Sequence, residues 1–261
     1  MDYIFPDHVV AVLTALTDKG FEAYVVGGAI RDLIMNKPVT DWDFTTNAPP
    51  EEIQNVFPDS FYDNAFGTVG VANPVEGEAP FEITTFRREF GYSDSRRPDT
   101  VEWGTSLEED LSRRDFTINA IAGSQSDGKL VFTDPFGGTE DIKQKLVRAV
   151  GDPHERFRED ALRLMRAVRI ASQLGFEIEE KTLEAVTSSA PLINHIARER
   201  VRDEFFKLLV SQYAEQGVLL LRNCGLLQEI LPELEKTFGV EQKSPNRHHI
   251  YDVGTHSVKA L

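Results

Sequence analysis

Cysteine is nearly absent from this chain of 261 residues, in which Cys224 stands alone. A single cysteine excludes an intrachain disulfide, and nothing else in the sequence indicates an oxidising compartment. Long hydrophobic runs are missing too, since the longest aliphatic stretch, residues 218–221, is far too short to cross a bilayer. The first residues lack the basic region and the apolar core of a signal peptide. These absences predict a cytoplasmic protein whose cysteine packs in its interior.

Basic residues are also in deficit, because 28 Lys and Arg stand against 43 Asp and Glu and leave a formal charge of −15. Proteins that bind nucleic acids usually carry a basic surface, so this total argues against that class. The deficit is uneven, however. Residues 1–150 contain 26 acidic and 13 basic side chains, whereas residues 151–261 contain 17 and 15. The acidity therefore belongs to the first part and does not exclude RNA binding by the second.

Hydrophobic periodicity changes near residue 150 and predicts an α+β chain. Before that point, strand patterns at 21–26, 39–45, 68–72, 82–86 and 100–103 alternate with helical patterns at 9–16, 29–35, 51–56 and 107–122. After it, the patterns are helical only, at 156–174, 180–188, 198–211 and 214–224. We therefore expect a mixed domain over residues 1–150, a helical region over 151–230, and the start of a further helical domain over 231–261. Because residues 256–261 end without a stop signal, the natural protein is expected to continue.

Two carboxylates stand close together at Asp41 and Asp43. Residues i and i+2 of a strand point to the same face, so these two should lie side by side, with Trp42 and Phe44 turned into the core. Mg²⁺ prefers such hard oxygen ligands and completes its shell with substrate phosphates. The same pattern is also typical of solvated surface charge.

A glycine pair, Gly27 and Gly28, joins a strand to a helix about a dozen residues earlier. Glycines allow backbone N–H groups to approach a phosphate, and Arg31, one turn into the helix, could pair with it. Alternatively, the pair is only a tight turn. A phosphate cradle beside two metal-binding carboxylates is what nucleotidyl transfer requires.

Three further groups could take part in such chemistry, and each has a structural alternative. Glu82 could complete the metal cluster or act as a general base, or it could be an exposed strand residue. Arg113 and Arg114, expected to open a helix, could grip a ribose or triphosphate or form a structural salt bridge. Asp160 and Arg163, three apart on an arginine-rich helix, could share a base edge or form an ordinary intrahelical pair.

Taken together, these residues resemble the class II tRNA nucleotidyltransferases, which are the CCA-adding enzymes, and the bacterial poly(A) polymerases. The resemblance spans about residues 23–207. It rests on five motifs in family order, at residues 27–32, 41–43, 113–120, 134–138 and 159–163. It implies a polymerase-beta-like nucleotidyltransferase head, a mixed sheet with helices, followed by an all-α neck. It also implies transfer of C and A from CTP and ATP to the 3′ end of tRNA.

The resemblance assigns a role to each candidate residue. Asp41 and Asp43 would bind two Mg²⁺ ions, while Gly28 and Arg31 would hold the triphosphate. Other nucleotide contacts would come from Arg114 near the sugar, from Asp160 and Arg163 at the base edge, and from Arg166 and Arg169 in the pocket wall. Asp accepts from an exocyclic amine and Arg donates to ring acceptors, and C and A both carry such an amine.

Two segments bear on the subfamily. Residues 87–99 look complete, whereas CC-adding members lack part of this segment, so addition of CC alone is disfavoured. Residues 246–256 resemble the start of an HD-type domain. In that case His248, His249 and His256 would begin a metal site only in a longer protein, and here they are expected at the surface.

Three alternatives remain open at this level. The chain could add only A to tRNA, or it could be a poly(A) polymerase that tails other RNAs. From another class, it could be a non-catalytic RNA-binding module in which Asp41 and Asp43 are surface charge. The sequence leaves the oligomeric state open.

Overall fold

A computed structural model describes residues 4–63, 67–90, 100–103, 106–126, 128–241 and 250–261, without the side chains of 63, 88–90 and 100–103. These residues form two compact units, one within residues 4–144 and the other within 145–261. Residues 91–99 of the segment at 87–99 and the histidines at 248 and 249 lie outside the described residues. Among the helices that are described, none has the length and apolar character needed to cross a membrane.

In chain order the described strands of the first unit are β1 (Ala23–Val26), β2 (Asp43–Thr46), β3 (Phe61–Asp63), β4 (Thr68–Val71), β5 (Phe81–Thr85), β6 (Arg87–Phe90), β7 (Thr100–Trp103), β8 (Ala122–Ser126) and β9 (Lys129–Thr133). Seven of them form a mixed sheet in the order β3-β4-β5-β2-β1-β8-β9. β2 and β5 are parallel and the other neighbours are antiparallel. β6 and β7 form a separate antiparallel pair. The helices are α1 (Asp7–Thr17), α2 (Gly28–Ile34), α3 (Pro50–Val56), α4 (Leu107–Ser112) and α5 (Gly138–Gln144), with a 3-10 turn at Thr117–Asn119.

One face of this sheet packs against α1. The helix buries Val9, Val12, Leu13 and Leu16, whose spacing places them on one side. His8 stacks on Phe81 of β5 with 6.0 Å between ring centroids. Phe81 in turn meets Phe44 of β2 edge to face at 5.4 Å. One apolar layer of the unit therefore lies between α1 and the sheet.

The opposite face carries a row of four residues at matching positions on four adjacent strands. Asp43 lies opposite Glu82, Glu82 lies opposite Gly70, and Gly70 lies opposite Phe61. Directly opposed residues project to the same face of a sheet, and successive residues alternate between faces. Since Phe44 and Phe81 face α1, Asp43 and Glu82 face away from it. We call these four residues the cross-strand row.

In the part of the second unit that the structure describes, the strands are limited to one short parallel pair, β10 (Leu146–Val147) with β11 (Glu177–Ile178), and the other regular elements are helices. Two-residue strands are too short to leave a periodic signal, which explains why the sequence did not predict them. Cys224 is buried and burial raises the pKa of its thiol, as expected of a cysteine that packs. The helices are α6 (Pro153–Glu159), α7 (Leu162–Leu174), α8 (Glu180–Ser189), α9 (Arg198–Leu209), α10 (Ala214–Asn223), α11 (Leu226–Ile230), α12 (Pro232–Glu235) and α13 (Val253–Lys259), with a 3-10 segment at Ala190–His195.

The α+β class with a mixed sheet and a helical second part is confirmed, but three predicted elements are wrong in extent. The strand expected over residues 39–45 begins only at Asp43. The helix expected over 107–122 ends at Ser112, and a 3-10 turn and β8 follow. Arg113 and Arg114 thus follow a helix and do not open one. The helix expected over 156–174 is interrupted at Asp160, which has an extended backbone.

Candidate active site

The paired carboxylates lie at the start of β2. Asp43 is half-buried and opens the strand, while Asp41 is exposed two residues before it. Trp42 and Phe44 are almost fully buried, so the expected division between a polar and a core-facing side is confirmed. Glu82 lies beside Asp43 through the parallel register of β2 and β5. The structure therefore brings the three predicted acidic residues to the same end of two adjacent inner strands, β2 and β5.

These carboxylates fit a metal ion that the substrate completes. Among the described residues, no three His, Cys, Asp or Glu side chains converge closely enough to hold a metal by themselves. Mg²⁺ does not require such a cage, because it commonly binds one or two carboxylates together with substrate phosphates. Asp41 and Asp43 supply that donor set, whereas Glu82 is not gathered with them into a three-ligand group.

The glycine turn lies directly under Asp43. Gly27 has φ 75° and ψ −143°, a conformation that residues with side chains rarely adopt. A Cβ atom at this position would lie 3.2 Å from Asp43 Oδ2 and 3.4 Å from Arg114 Nη1. Gly28, which the sequence analysis selected, is the first residue of α2, and Arg31 folds back over it. The backbone at Gly27 thus meets a carboxylate and a guanidinium at one point.

Arg31 is held by two neighbours in a defined orientation. Its Nε and Nη2 donate to Asp32 at 2.9 and 3.0 Å, and its Nη1 donates to Asn119 Oδ1 at 2.8 Å. Asn119 is buried and its amide donates to Asp115 at 3.1 Å. These bonds use three of the five guanidinium N–H donors, so two can still bind a phosphate.

Arg113 and Arg114 are anchored by a fully buried carboxylate, that of Asp110 in α4. Arg113 donates to Asp110 Oδ1 through Nη2 at 2.7 Å and Nε at 3.0 Å, and Arg114 donates to Oδ2 at 3.2 Å. Thr45 of β2 also donates to Oδ2, at 3.2 Å. Burial alone would raise the pKa of Asp110, but the charges and hydrogen bonds of the two arginines outweigh it and lower the pKa.

Arg114 retains one donor that the protein does not satisfy. Its Nε is buried and has no hydrogen-bond partner among the residues that the structure describes. Buried donors without partners are costly and uncommon in folded proteins. An acceptor atom of a bound ligand beside Gly27 and Asp43 would remove this cost. The site therefore fits an anionic or polar ligand on the β1 side of Asp43.

In the second unit, Asp160 occupies the break between α6 and α7. Its Oδ1 accepts from the N–H of Leu162 at 3.0 Å, a local bond that competes with helix continuation and explains the break. Its Oδ2 accepts from Arg200 of α9 at 3.3 Å. Nη1 of Arg200 is buried without a hydrogen-bond partner in the described part of the chain. The sequence spacing suggested that Asp160 and Arg163 lie on one helix. This is wrong, because Asp160 precedes α7 and Arg163 lies within it.

The predicted arginines of α7 form a stripe along one side of a buried helix. Between residues 161 and 172, only Arg163, Arg166 and Arg169 are not fully buried. Arg163 donates to Glu159 at 2.7 Å. Arg169 pairs with Glu204 of α9, which is itself buried. Carboxylates thus position at least two guanidinium groups of the stripe.

Sequence reasoning missed three residues that organise these groups, namely Asp110, Arg200 and Glu204. Glu204 left a signal, since Val201 and Leu208 flank it at helical spacing and it falls on their apolar side. A charged residue in such a stripe requires a buried partner. Asp110 left the same signal, since Leu107 and Leu111 place it on the apolar side of α4. Arg200 left none, because nothing in its local sequence distinguishes it from a solvated charge.

Replacing Gly27 with alanine should lower both stability and activity. The left-handed backbone and the crowded Cβ position should cost about 1–3 kcal/mol of unfolding free energy. For the nucleotidyl transfer that the sequence resemblance implies, displacement of Asp43 and Arg114 should lower nucleotide incorporation about a hundredfold. Gly20 provides a matched control, because it has φ 87° and nothing within 4 Å of its Cβ position. In urea unfolding, Gly20→Ala should show the cost of backbone strain alone, and in an incorporation assay it should keep the activity of the parent. Equal activity of the Gly20→Ala and Gly27→Ala variants would contradict the role assigned to Gly27.

Two family models match the chain. The poly(A) polymerase head domain matches residues 23–148, and a probable RNA- and SrmB-binding site of polymerase A matches residues 175–238. The CCA-adding enzyme of Lactobacillus helveticus is 47% identical over 220 residues, which are 84% of this chain and 54% of that relative.

Solved structures show the same fold. The Bacillus stearothermophilus CCA-adding enzyme in complex with CTP superposes with a TM-score of 0.78 at 40% identity, covering 88% of this chain and 55% of that one. A tRNA nucleotidyltransferase complexed with a primer tRNA and an incoming ATP analog gives 0.70 at 30% identity, covering 90% and 64%.

The sheet with its paired carboxylates therefore has the nucleotidyltransferase fold. More narrowly, the chain belongs to the family of tRNA nucleotidyltransferases, or CCA-adding enzymes, and bacterial poly(A) polymerases. Nucleotidyltransferases of this family generally depend on a metal ion. The chain spans about half the length of the curated relatives that it matches.

Proposed function

We propose that this chain is the catalytic part of a template-independent RNA nucleotidyltransferase that adds C and A, as CCA, to the 3′ end of tRNA from CTP and ATP. The observation that carries the proposal is the meeting of Asp43, Arg114 and the backbone of Gly27 at one point. A carboxylate for metal, a cation and an open backbone are the groups that a nucleoside triphosphate requires. The relatives named as CCA-adding enzymes support this substrate class.

Asp41 and Asp43 would hold Mg²⁺ in this proposal. When bound, the ion lowers the pKa of the RNA 3′-hydroxyl and neutralises charge on the triphosphate. The 3′-oxygen attacks the α-phosphorus, and the bond from that phosphorus to the pyrophosphate group breaks. Glu82, which lies beside Asp43 in the sheet, would accept the proton that the hydroxyl loses.

Arginines of the first unit would bind the rest of the nucleotide. The two N–H donors that Arg31 retains would bind the triphosphate over Gly28. The unsatisfied Nε of Arg114 would donate to an oxygen near the sugar. Asp110 and Asn119 keep these guanidinium groups in place before the ligand arrives, which lowers the entropic cost of binding.

Base selection would belong to the second unit. Asp160 would accept from the exocyclic amine of C or A, and Arg163 would donate to a ring acceptor. Arg200 and Glu159 hold the two side chains in fixed orientations. Arg166 and Arg169 would complete the pocket wall.

The domain division follows from these roles. Residues 1–150 would form the nucleotidyltransferase head and 151–230 the nucleotide-selecting and RNA-binding neck. Residues 231–261 would begin a further helical domain of HD type. A cytoplasmic location agrees with a single buried cysteine and with the tRNA substrate.

Extension of three tRNA acceptors tests the function. Molecules that end before CCA, after C and after CC are each incubated with Mg²⁺ and with CTP, ATP or both. Completion of CCA from every acceptor supports the proposal. Extension of the CC-ended acceptor alone would indicate an A-adding enzyme, long tails would indicate a poly(A) polymerase, and no extension would leave an RNA-binding module.

Replacing Asp160 with alanine should relax base selection. We expect discrimination of CTP and ATP against UTP and GTP to fall about 5- to 150-fold, the worth of one good base-edge contact. Single-nucleotide incorporation with each triphosphate measures the ratio. Asp203→Ala removes an exposed carboxylate of α9 and should change nothing. Unchanged selectivity in Asp160→Ala would remove this residue from the selecting set.

A further inference from the structure

Arg200 of α9 has one donor that its contact with Asp160 leaves unused. Its Nη2 donates to Asp160 Oδ2 at 3.3 Å, whereas its Nη1 is buried and has no hydrogen-bond partner among the residues that the structure describes. A donor in this state is costly, because it has lost water without gaining an acceptor. The two side chains are 32% and 19% exposed, so a ligand can reach the pair and supply that acceptor.

The carboxylate of Asp160 has accepting capacity left for the same ligand. Its Oδ1 accepts from the N–H of Leu162 at 3.0 Å, and its Oδ2 accepts from Arg200. Because a carboxylate oxygen can accept two hydrogen bonds, a further donor can still bind here. Nη1 and Nη2 of Arg200 belong to one planar guanidinium group, which fixes the direction of the unused donor relative to Asp160. The two residues therefore present an acceptor and a donor side by side.

One edge of adenine is complementary to an acceptor and a donor placed side by side. On that edge the N6 amine donates and the adjacent N7 accepts. Cytosine offers its N4 amine without an acceptor beside it. Guanine and uracil carry an oxygen where adenine and cytosine carry the amine, and that oxygen would face the carboxylate of Asp160. Of the four bases, only adenine therefore matches both Asp160 and Arg200.

We infer that Arg200 is a specificity-determining residue, whose Nη1 donates to N7 of the incoming adenine while Asp160 accepts from the N6 amine. This inference rests on the proposed function, in which Asp160 accepts an amine from either base and Arg163 donates to a ring acceptor. Arg163 lies on a different helix, α7, and is held by Glu159 at 2.7 Å. Arg200 thus adds a contact that ATP makes and CTP does not, beyond its part in orienting Asp160.

Replacement of N7 by C–H in the nucleotide tests this contact directly. The full chain is given a tRNA acceptor that ends after CC, together with Mg²⁺ and either ATP or 7-deaza-ATP. The parent should use 7-deaza-ATP with a kcat/KM about 5- to 150-fold lower than that for ATP, because Nη1 of Arg200 then faces a carbon atom. Arg200→Met should lose this preference and use both nucleotides with the same kcat/KM.

Incorporation of CTP separates the contact with N7 from the orienting of Asp160. Arg200→Met should lower kcat/KM for ATP about 5- to 150-fold more than kcat/KM for CTP, because only adenine loses a hydrogen bond. Arg200→Lys keeps a positive charge beside Asp160 but lacks the planar fork, so it should restore the use of CTP and leave the preference for ATP over 7-deaza-ATP lost. Arg202→Met removes an exposed arginine two positions along α9 and, as the matched control, should keep the preference of the parent.

The outcomes distinguish the contact with N7 from the proposed function. The inference is overturned if the parent uses 7-deaza-ATP as well as ATP, or if Arg200→Met and Arg200→Lys keep the preference of the parent. A parent that incorporates no A overturns the proposed function. Calorimetry of ATP and 7-deaza-ATP with Mg²⁺ then decides the contact without turnover. Weaker binding of 7-deaza-ATP by the parent but not by the Arg200 variants supports it, and equal binding, or binding of neither nucleotide by the parent, overturns it.

Discussion

Asp43→Asn should lower nucleotide incorporation by about a thousandfold or more, the largest effect expected in the chain. Asparagine keeps the size of the side chain but removes the negative charge that a metal requires. Single-turnover incorporation of CTP into a tRNA acceptor measures the loss.

The control is Asp59→Asn, which removes the same charge from an exposed position in the same unit. Adding Asp41→Asn to Asp43→Asn should cost little more, because residues that act as one unit are not additive. Calorimetry should show that Mg²⁺-dependent binding of CTP weakens in parallel. Incorporation that stays within tenfold of the parent would show that Asp43 is not a metal ligand.

Asp110→Ala should destabilise the first unit by about 3–5 kcal/mol, the largest stability effect expected. The substitution would leave Arg113 and Arg114 without the fully buried carboxylate that neutralises both, and Thr45 without its acceptor. Urea unfolding followed by tryptophan fluorescence measures the change. Glu108→Ala, an exposed carboxylate of the same helix, should change the midpoint very little.

Asp110 also predicts how stability depends on pH. Its pKa is lower in the folded chain than in the unfolded chain, so the folded state favours the ionised form. The resulting stability is fully present above the unfolded pKa of about 3.9 and is lost as pH falls through the folded value. Asp110→Asn should remove this part of the acid dependence. An Asp110→Asn variant whose stability falls with acid as steeply as that of the parent would contradict this origin.

Much of the fold could be predicted because its signal is local. Helix α1 and the helices of the second unit repeat their apolar residues every three or four positions, and burial follows that pattern. Strands β3, β8 and β9 were missed, since β3 has only three residues, β8 is rich in Ser and Gly, and β9 carries three apolar residues in succession, so that none of them shows a clear alternation. The break at Asp160 was missed because a single hydrogen bond decides it, which the N–H of Leu162 donates to the side chain of Asp160.

The candidate site also combines features that follow from neighbouring residues in the sequence with features that depend on tertiary packing. The nearness of Asp41 to Asp43 follows from the chain itself. That Glu82 lies beside Asp43, and that Gly27 lies beneath it, depends on strand register. The bond between Asp160 and Arg200 joins residues 40 positions apart and depends on how α9 packs. Sequence pattern thus gave the identity of the candidate residues, and tertiary packing decides which side chains hold them.

Gly70 and Phe61 behave as one position under mutation. The ring of Phe61 occupies the space that any side chain at residue 70 would need. A larger residue at 70 would turn the ring off the sheet, and a smaller residue at 61 would leave the glycine open to water. The size of the side chain at one of these two positions therefore limits the size allowed at the other. The edge strand β3 and its neighbour β4 therefore share, at a largely exposed aromatic ring, a packing constraint that is usually found in a protein core.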